Sequence, residues 1–95
     1  MRDITNRARL AFNNGYNFKR DNTKVISENG KTHLYLHGSR IATRDSHGVY
    51  ITNAGYFTNT TKERLNGLSG VHIVQKNWEW FLNGEHWNGD WVKVG

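Results

Sequence analysis

Hydrophobic positions along this chain change their spacing near residue 20. From Ile4 to Phe12 they recur at helical intervals, so that Ile4, Ala8, Ala11 and Phe12 share one side of a helix. Asp3 stands where a cap is expected, and Gly15, after Asn13-Asn14, where a helix stops. Arg7 and Arg9 then lie off the apolar side. The stretch GYNFKRDNT that follows sets two rings among turn formers, and it reads as a loop in which Tyr16 and Phe18 anchor the helix.

Beyond it the period becomes two. In TKVISENGKTHLYL the Asn29-Gly30 pair supplies the positive φ that a type I′ turn needs, which predicts a hairpin of about Lys24 to Glu28 and Lys31 to Leu36. HGS reads as a turn, RIATR as a short strand, DSHG as a second turn and VYIT as a further strand, extending the hairpin into a meander. At Thr60-Thr61-Lys62-Glu63 the sequence matches a capping box, which predicts a short helix from about Thr61 to Asn66. Leu65 and Leu68 form its apolar face, and Gly67 and Gly70 supply left-handed residues to end it. VHIVQK, WEWFL, EHW and WVKV read as strands, the last three separated by Asn83-Gly84 and Asn88-Gly89. Both halves place strands with Asn-Gly turns after a helix, but their side chains do not align as a repeat.

The pattern predicts an α+β fold. It is a small single domain over residues 1–95, with an N-terminal helix, an antiparallel β meander, a short central helix and C-terminal antiparallel strands. Ninety-five residues suffice for one modest core and not for a catalytic domain beside a binding domain. With no cysteine there is neither a disulfide framework nor a thiolate metal site, which suits a reducing cytoplasm. No segment approaches the roughly 20 apolar residues of a membrane span, and the first residues carry no apolar run of an export signal.

Charge then sharpens the picture. The net charge is +5, and up to His47 there are nine Lys and Arg against four Asp and Glu, whereas from Gly48 onward there are four against four. A basic first half suggests a polyanionic partner, DNA or RNA, or else an acidic protein surface; a solvated polar face is the plain alternative. Arg40 and Arg44 lie four apart in RIATR and on a regular strand share a face, with Ile41 and Thr43 opposite. Lys19, Arg20 and Lys24 precede them, and Arg7 and Arg9 join if the helix packs alongside. Tyr56 and Phe57 are consecutive, so a strand cannot turn both rings into one core. One of the two either staples the helix near Thr60 or stays free to stack on a base.

Catalytic and metal patterns are weaker. His33 and His37 on one strand lie about 13 Å apart by the strand rise, too far for two ligands at about 2 Å from one ion. Asp45-Ser46-His47 has hydrolytic residue types, but neighbours on a tight turn diverge, and no strand-turn-helix presents a nucleophile. No phosphate loop is present. No catalytic residue, metal ligand or cofactor is therefore expected. The four tryptophans, Trp78, Trp80, Trp87 and Trp91, fall within fourteen positions. Trp78, Trp80 and Leu82 alternate onto one face, which predicts core in preference to a ligand face.

Several strings together resemble a family of small bacteriophage accessory proteins: FKRDNTKV, LYLHGSRIA, ITNAGYFTNTTKERLNGL, VHIVQKNWEWFLNG and HWNGDWV. The resemblance runs from about Phe12 to Val94. It implies a setting in the host bacterial cytoplasm and no particular active site. By analogy of setting it also implies a non-enzymatic inhibitor or modulator of a bacterial host protein or ribonucleoprotein complex that handles nucleic acid, with anti-CRISPR proteins the concrete case. The alternative reading is a small basic regulator that binds nucleic acid directly. Neither needs a membrane.

Overall fold

The computed structural model describes residues 2–95. Helix α1 spans Asp3–Asn14 and buries Ile4, Thr5, Ala8, Ala11 and Phe12, the side its apolar spacing predicts. Its start differs from expectation. Arg2 is the extended cap residue, without a side-chain bond, and Asp3 is the first helical residue. There the carboxylate faces the positive end of the helix dipole. Gly15 ends the helix in the left-handed region, its N–H donating to the Ala11 carbonyl.

Five strands follow as a meander: β1 Phe18–Arg20, β2 Thr23–Glu28, β3 Lys31–Leu36, β4 Ser39–Asp45 and β5 Gly48–Ile51. Each neighbouring pair is antiparallel and joined by a two-residue reversal. The reversals at Asn29-Gly30 and His37-Gly38 have positive φ at both positions, the type I′ geometry whose twist matches the strands. The expected loop at residues 15–23 thus contains a strand. Lys19 and Arg20 lie in β1 and Lys24 in β2. Phe18 packs against the core, whereas Tyr16 is half-exposed and lies outside it.

A bulge in β4 has the largest consequence. Leu34 opposes Ala42, but Tyr35 opposes Arg40, leaving Ile41 as the extra residue. Ile41 and Ala42 are both buried. The insertion shifts the alternation by one, so Arg40 and Arg44 lie on opposite faces of the sheet. The expectation of a shared face fails for that reason.

Helix α2 spans Asn59–Asn66 and is capped by Thr58, whose Oγ1 accepts the Thr61 N–H. The cap is two residues earlier than the capping box predicts. Glu63 accepts from Thr5 and Arg64 instead of reaching back to its own helix start. Gly67 keeps a right-handed helical conformation, and of the two expected stops only Gly70 is left-handed. Arg64 is 2% exposed, with Nε donating to Thr23 Oγ1 at 3.0 Å and Nη1 to Thr5 Oγ1 at 2.9 Å. One guanidinium therefore ties α2 to α1 and β2.

Three further strands, β6 Ile73–Lys76, β7 Glu79–Leu82 and β8 Glu85–His86, form a separate antiparallel sheet. The last strand, β9 Val92–Lys93, does not continue it. Asn88-Gly89 is no hairpin, because the chain crosses over there and β9 pairs with β5, giving the order β1-β2-β3-β4-β5-β9 in the first sheet. The Gly89 carbonyl accepts from the Asn53 N–H and the Thr52 hydroxyl. Gly89 has φ +93, and a Cβ there would lie 2.3 Å from the buried Asn53 side chain, so only glycine fits the crossing.

A single core joins Ala8, Ala11 and Phe12 of α1, the inner side of the six-stranded sheet (Val25, Leu34, Leu36, Ala42 and Ile51), and Leu65, Ile73, Trp80, Leu82 and Trp87. Trp80 and Trp87 are buried side by side with ring centroids 6.2 Å apart. The other two tryptophans are not core: Trp91 is 47% exposed and Trp78 is 90% exposed. Trp78 sits in the β6–β7 turn and so does not alternate with Trp80. No helix among the described residues is long and apolar enough to cross a membrane.

Candidate nucleic-acid interface

The core covers one side of the six-stranded sheet and leaves the other open. Alternation along β3 decides its content, with Thr32, Leu34 and Leu36 turned inward and Lys31, His33 and Tyr35 outward. Cross-strand register extends the outer row. His33 opposes Thr43 and Thr43 opposes Tyr50, which opposes Lys93, while Tyr35 opposes Lys24 on one side and Arg40 on the other. Lys19 joins through its pairing with Lys24.

The open face thus carries five cations, Lys19, Lys24, Lys31, Arg40 and Lys93, interleaved with the rings of Tyr35, Tyr50 and Trp91. Its carboxylates, Glu28 and Asp45, stand at the ends of β2 and β4. Cations and rings touch: Lys24 Nζ lies 5.1 Å from the Tyr35 ring centroid and the Arg40 guanidinium 5.2 Å from that of Trp91. A shallow depression of about 320 Å³ lies among Lys31, His33, Arg40, Thr43, Tyr50 and Trp91. At its floor His33 Nδ1 meets Thr43 Oγ1 at 2.9 Å. Burial first, and then the positive charge of Arg40, hold the His33 imidazole below the usual histidine range, so it is neutral at pH 7. The face therefore offers flat π surfaces, positive charge and one neutral imidazole.

The eight residues singled out from sequence do not form one patch. Lys19, Lys24 and Arg40 are on the open face. Arg7, Arg9, Arg20 and Arg44 are on the side of α1. Arg7 Nε and Arg20 Nη1 each lie 2.9 Å from Asp3 Oδ2. Hydrogen bonds from Arg20 and then Arg7 hold the Asp3 carboxyl below its usual range. Arg9 reaches the Asn6 side chain, and Arg44 donates to the Phe12 carbonyl at the end of α1, where cations are favoured.

Tyr56 lies elsewhere, over a pocket of about 230 Å³ bordered by Leu36, His37, Ile41 and the threonines at the start of α2. Neither Tyr56 nor Phe57 lies in a strand, and both are about half exposed. Phe57 covers the core, its ring T-shaped against that of Trp80 with centroids 5.1 Å apart. The Asp45-Ser46-His47 turn is held by the His47 N–H donating to Asp45 Oδ1.

Lys31, His33, Tyr35, Tyr50, Trp91 and Lys93 were missed. The signal for three of them lies in KTHLYL, where every second residue is basic or aromatic. Tyr50, Trp91 and Lys93 reach the face only through the β4–β5 register and the crossover to β9.

No curated protein and no solved structure matches the chain. A family model does, over residues 1–94, and its description is Kyanoviridae Gp96 protein. The chain belongs to this family of bacteriophage proteins.

Proposed function

We propose that this phage protein binds single-stranded nucleic acid, without catalysing a reaction on it, through the open face of its six-stranded sheet. The observation that carries the reading is the interleaving of five cations with three rings on one uncovered face. Lysine and arginine hold phosphates by sequence-independent charge, and exposed rings stack on unpaired bases. Duplex DNA fits less well. Six strands at about 4.8 Å spacing make a face about 24 Å wide, whereas the major groove is about 12 Å wide and admits a helix or a two-stranded ribbon.

Fluorescence anisotropy with labelled single-stranded DNA and RNA tests this. Binding at low salt should weaken sharply in an Arg40→Ala, Trp91→Ala double variant whose melting temperature is unchanged. Absence of binding to either oligonucleotide at low salt removes the reading.

Membership of a phage family favours a second reading, in which the same face serves in the host bacterial cytoplasm to obstruct a nucleic-acid-handling protein or ribonucleoprotein complex, as an anti-CRISPR would. It predicts a stable complex with one host component that survives nuclease treatment of the lysate. Loss of the complex on nuclease treatment would leave direct binding as the better account.

A further inference from the structure

The β6–β7 turn breaks a rule that the chain keeps elsewhere. In a type I′ turn both central residues have positive φ, which crowds the Cβ of an L-residue against backbone. The second position is glycine in three such turns of this protein, Gly30, Gly38 and Gly84, with φ of 77°, 82° and 89°. In the β6–β7 turn it is Trp78, at φ 70°, following Asn77 at 53°. The indole gains no burial in return, being 90% exposed. The largest side chain available thus stands where the smallest is preferred, and the fold draws nothing from it. Strain and apolar exposure that folding does not use point to a contact outside the molecule.

The surroundings of the ring indicate what it meets. Gln75, Lys76, Asn77 and Glu79 around the tip are all exposed, and Lys62 Nζ reaches Gln75 Oε1 at 3.3 Å. A tryptophan that anchors a protein interface sits within a patch depleted of charge and sealed from water. A nucleobase asks for less, namely a free π face and a cation near its phosphate. The indole stands in a largely polar collar beside the half-exposed Val74, with the cations of Lys62 and Lys76 close to the tip, and so meets that requirement.

We infer that Trp78 is a second contact for nucleic acid, an indole that stacks on an unpaired base held at the tip of the β6–β7 hairpin. This rests on the open-face reading, since the sheet supplies the main hold on the strand.

The test compares Trp78→Gly and Trp78→Tyr with the parent chain, using a single-stranded oligonucleotide of about 16 nucleotides, the upper end of known site sizes. Trp78→Gly is expected to melt at a higher temperature, because it restores the residue this turn prefers, and to bind about tenfold more weakly. That loss is ~1.4 kcal/mol, within the range of base–aromatic stacking. Trp78→Tyr should keep most of the affinity, and in both variants quenching of indole emission on binding should shrink to the part that Trp91, the other exposed indole, contributes on the open face. If Trp78→Gly binds as tightly as the parent while Arg40→Ala, Trp91→Ala loses binding, the inference falls and the open-face reading stands. If the parent binds no oligonucleotide, both fall. A lower melting temperature for Trp78→Gly also overturns the inference, because the ring would then serve the fold. So would unchanged oligonucleotide affinity with loss of a protein partner from nuclease-treated lysate, which would assign the ring to a protein contact.

Discussion

Removing charge from the two sides of the sheet separates the open face from the patch that the sequence alone suggests. Five cations, Lys19, Lys24, Lys31, Arg40 and Lys93, stand on the open side. For single strands the logarithm of the affinity falls with the logarithm of salt concentration by about 0.7 per neutralised phosphate, so five contacts give a slope of about −3.5. Between about 50 and about 200 mM salt the affinity then drops about a hundredfold. Lys19→Ala with Lys31→Ala removes two contacts without touching the stacked pairs at Tyr35 and Trp91, and should lower the slope to about −2.1 and the drop to about twentyfold. Arg7→Ala with Arg9→Ala removes the same formal charge from α1, where Arg7 is already paired with Asp3 at 2.9 Å. Its slope should stay at about −3.5. Anisotropy titrations at four or more salt concentrations read these slopes directly. If both double variants flatten the slope equally, or if the α1 variant alone does, the open face is not the binding surface.

Two other predictions concern the fold that holds the face. Arg64→Ala removes a buried side chain with its bonds to Thr5 and Thr23 and leaves a cavity in its place, which should cost about 2–5 kcal/mol in urea unfolding. Arg64→Met should cost under about 1.5 kcal/mol. It refills the volume, while Thr5 still donates to Glu63, Thr23 still donates to Asn22, and Glu63 stays partly in water. Equal losses for the two variants would mean that the hydrogen bonds, not the packing, are what the site provides. His33 sets a pH dependence. Its folded-state pKa lies below the ordinary 6.5, because burial disfavours the imidazolium, so unfolding takes up a proton. Its contribution to stability is therefore complete above about pH 6.5 and is lost as the pH falls below that value. His33→Gln should flatten the decline between about pH 6.5 and pH 5, read from thermal melts; an unchanged decline would place its origin in another group.

How much was legible in the sequence differs from element to element. Helix α1 follows from its own spacing and from Gly15, and the β2–β3 hairpin from Asn29-Gly30, because in both the deciding interactions join residues close in the chain. The cap of α2 shows the limit of that reasoning. The capping box points to Thr60, whereas the cap is Thr58, and Phe57 packing on Trp80 accompanies it. Half of the tryptophan segment reads correctly, since Trp80 and Trp87 are core. Trp78 and Trp91 escape the reading because a turn and a crossover interrupt the strands that alternation assumes.

By itself the sequence determined an α+β domain with two helices and antiparallel strands, a basic first half, and the tight turns at Asn29-Gly30, His37-Gly38 and Asn83-Gly84. The tertiary structure decided which cations stand together. A single bulged residue, Ile41, sent Arg40 to the open face and Arg44 beneath α1. The crossover at Gly89 brought Trp91 over Arg40 and Lys93 beside Tyr50. The crossover depends on a contact between residues distant in the chain, Asn53 with Gly89, and the bulge on a shift of pairing within one hairpin, between Leu34–Ala42 and Tyr35–Arg40. The face of a side chain alternates with every residue, so one insertion reverses it, and no local propensity records where the insertion falls.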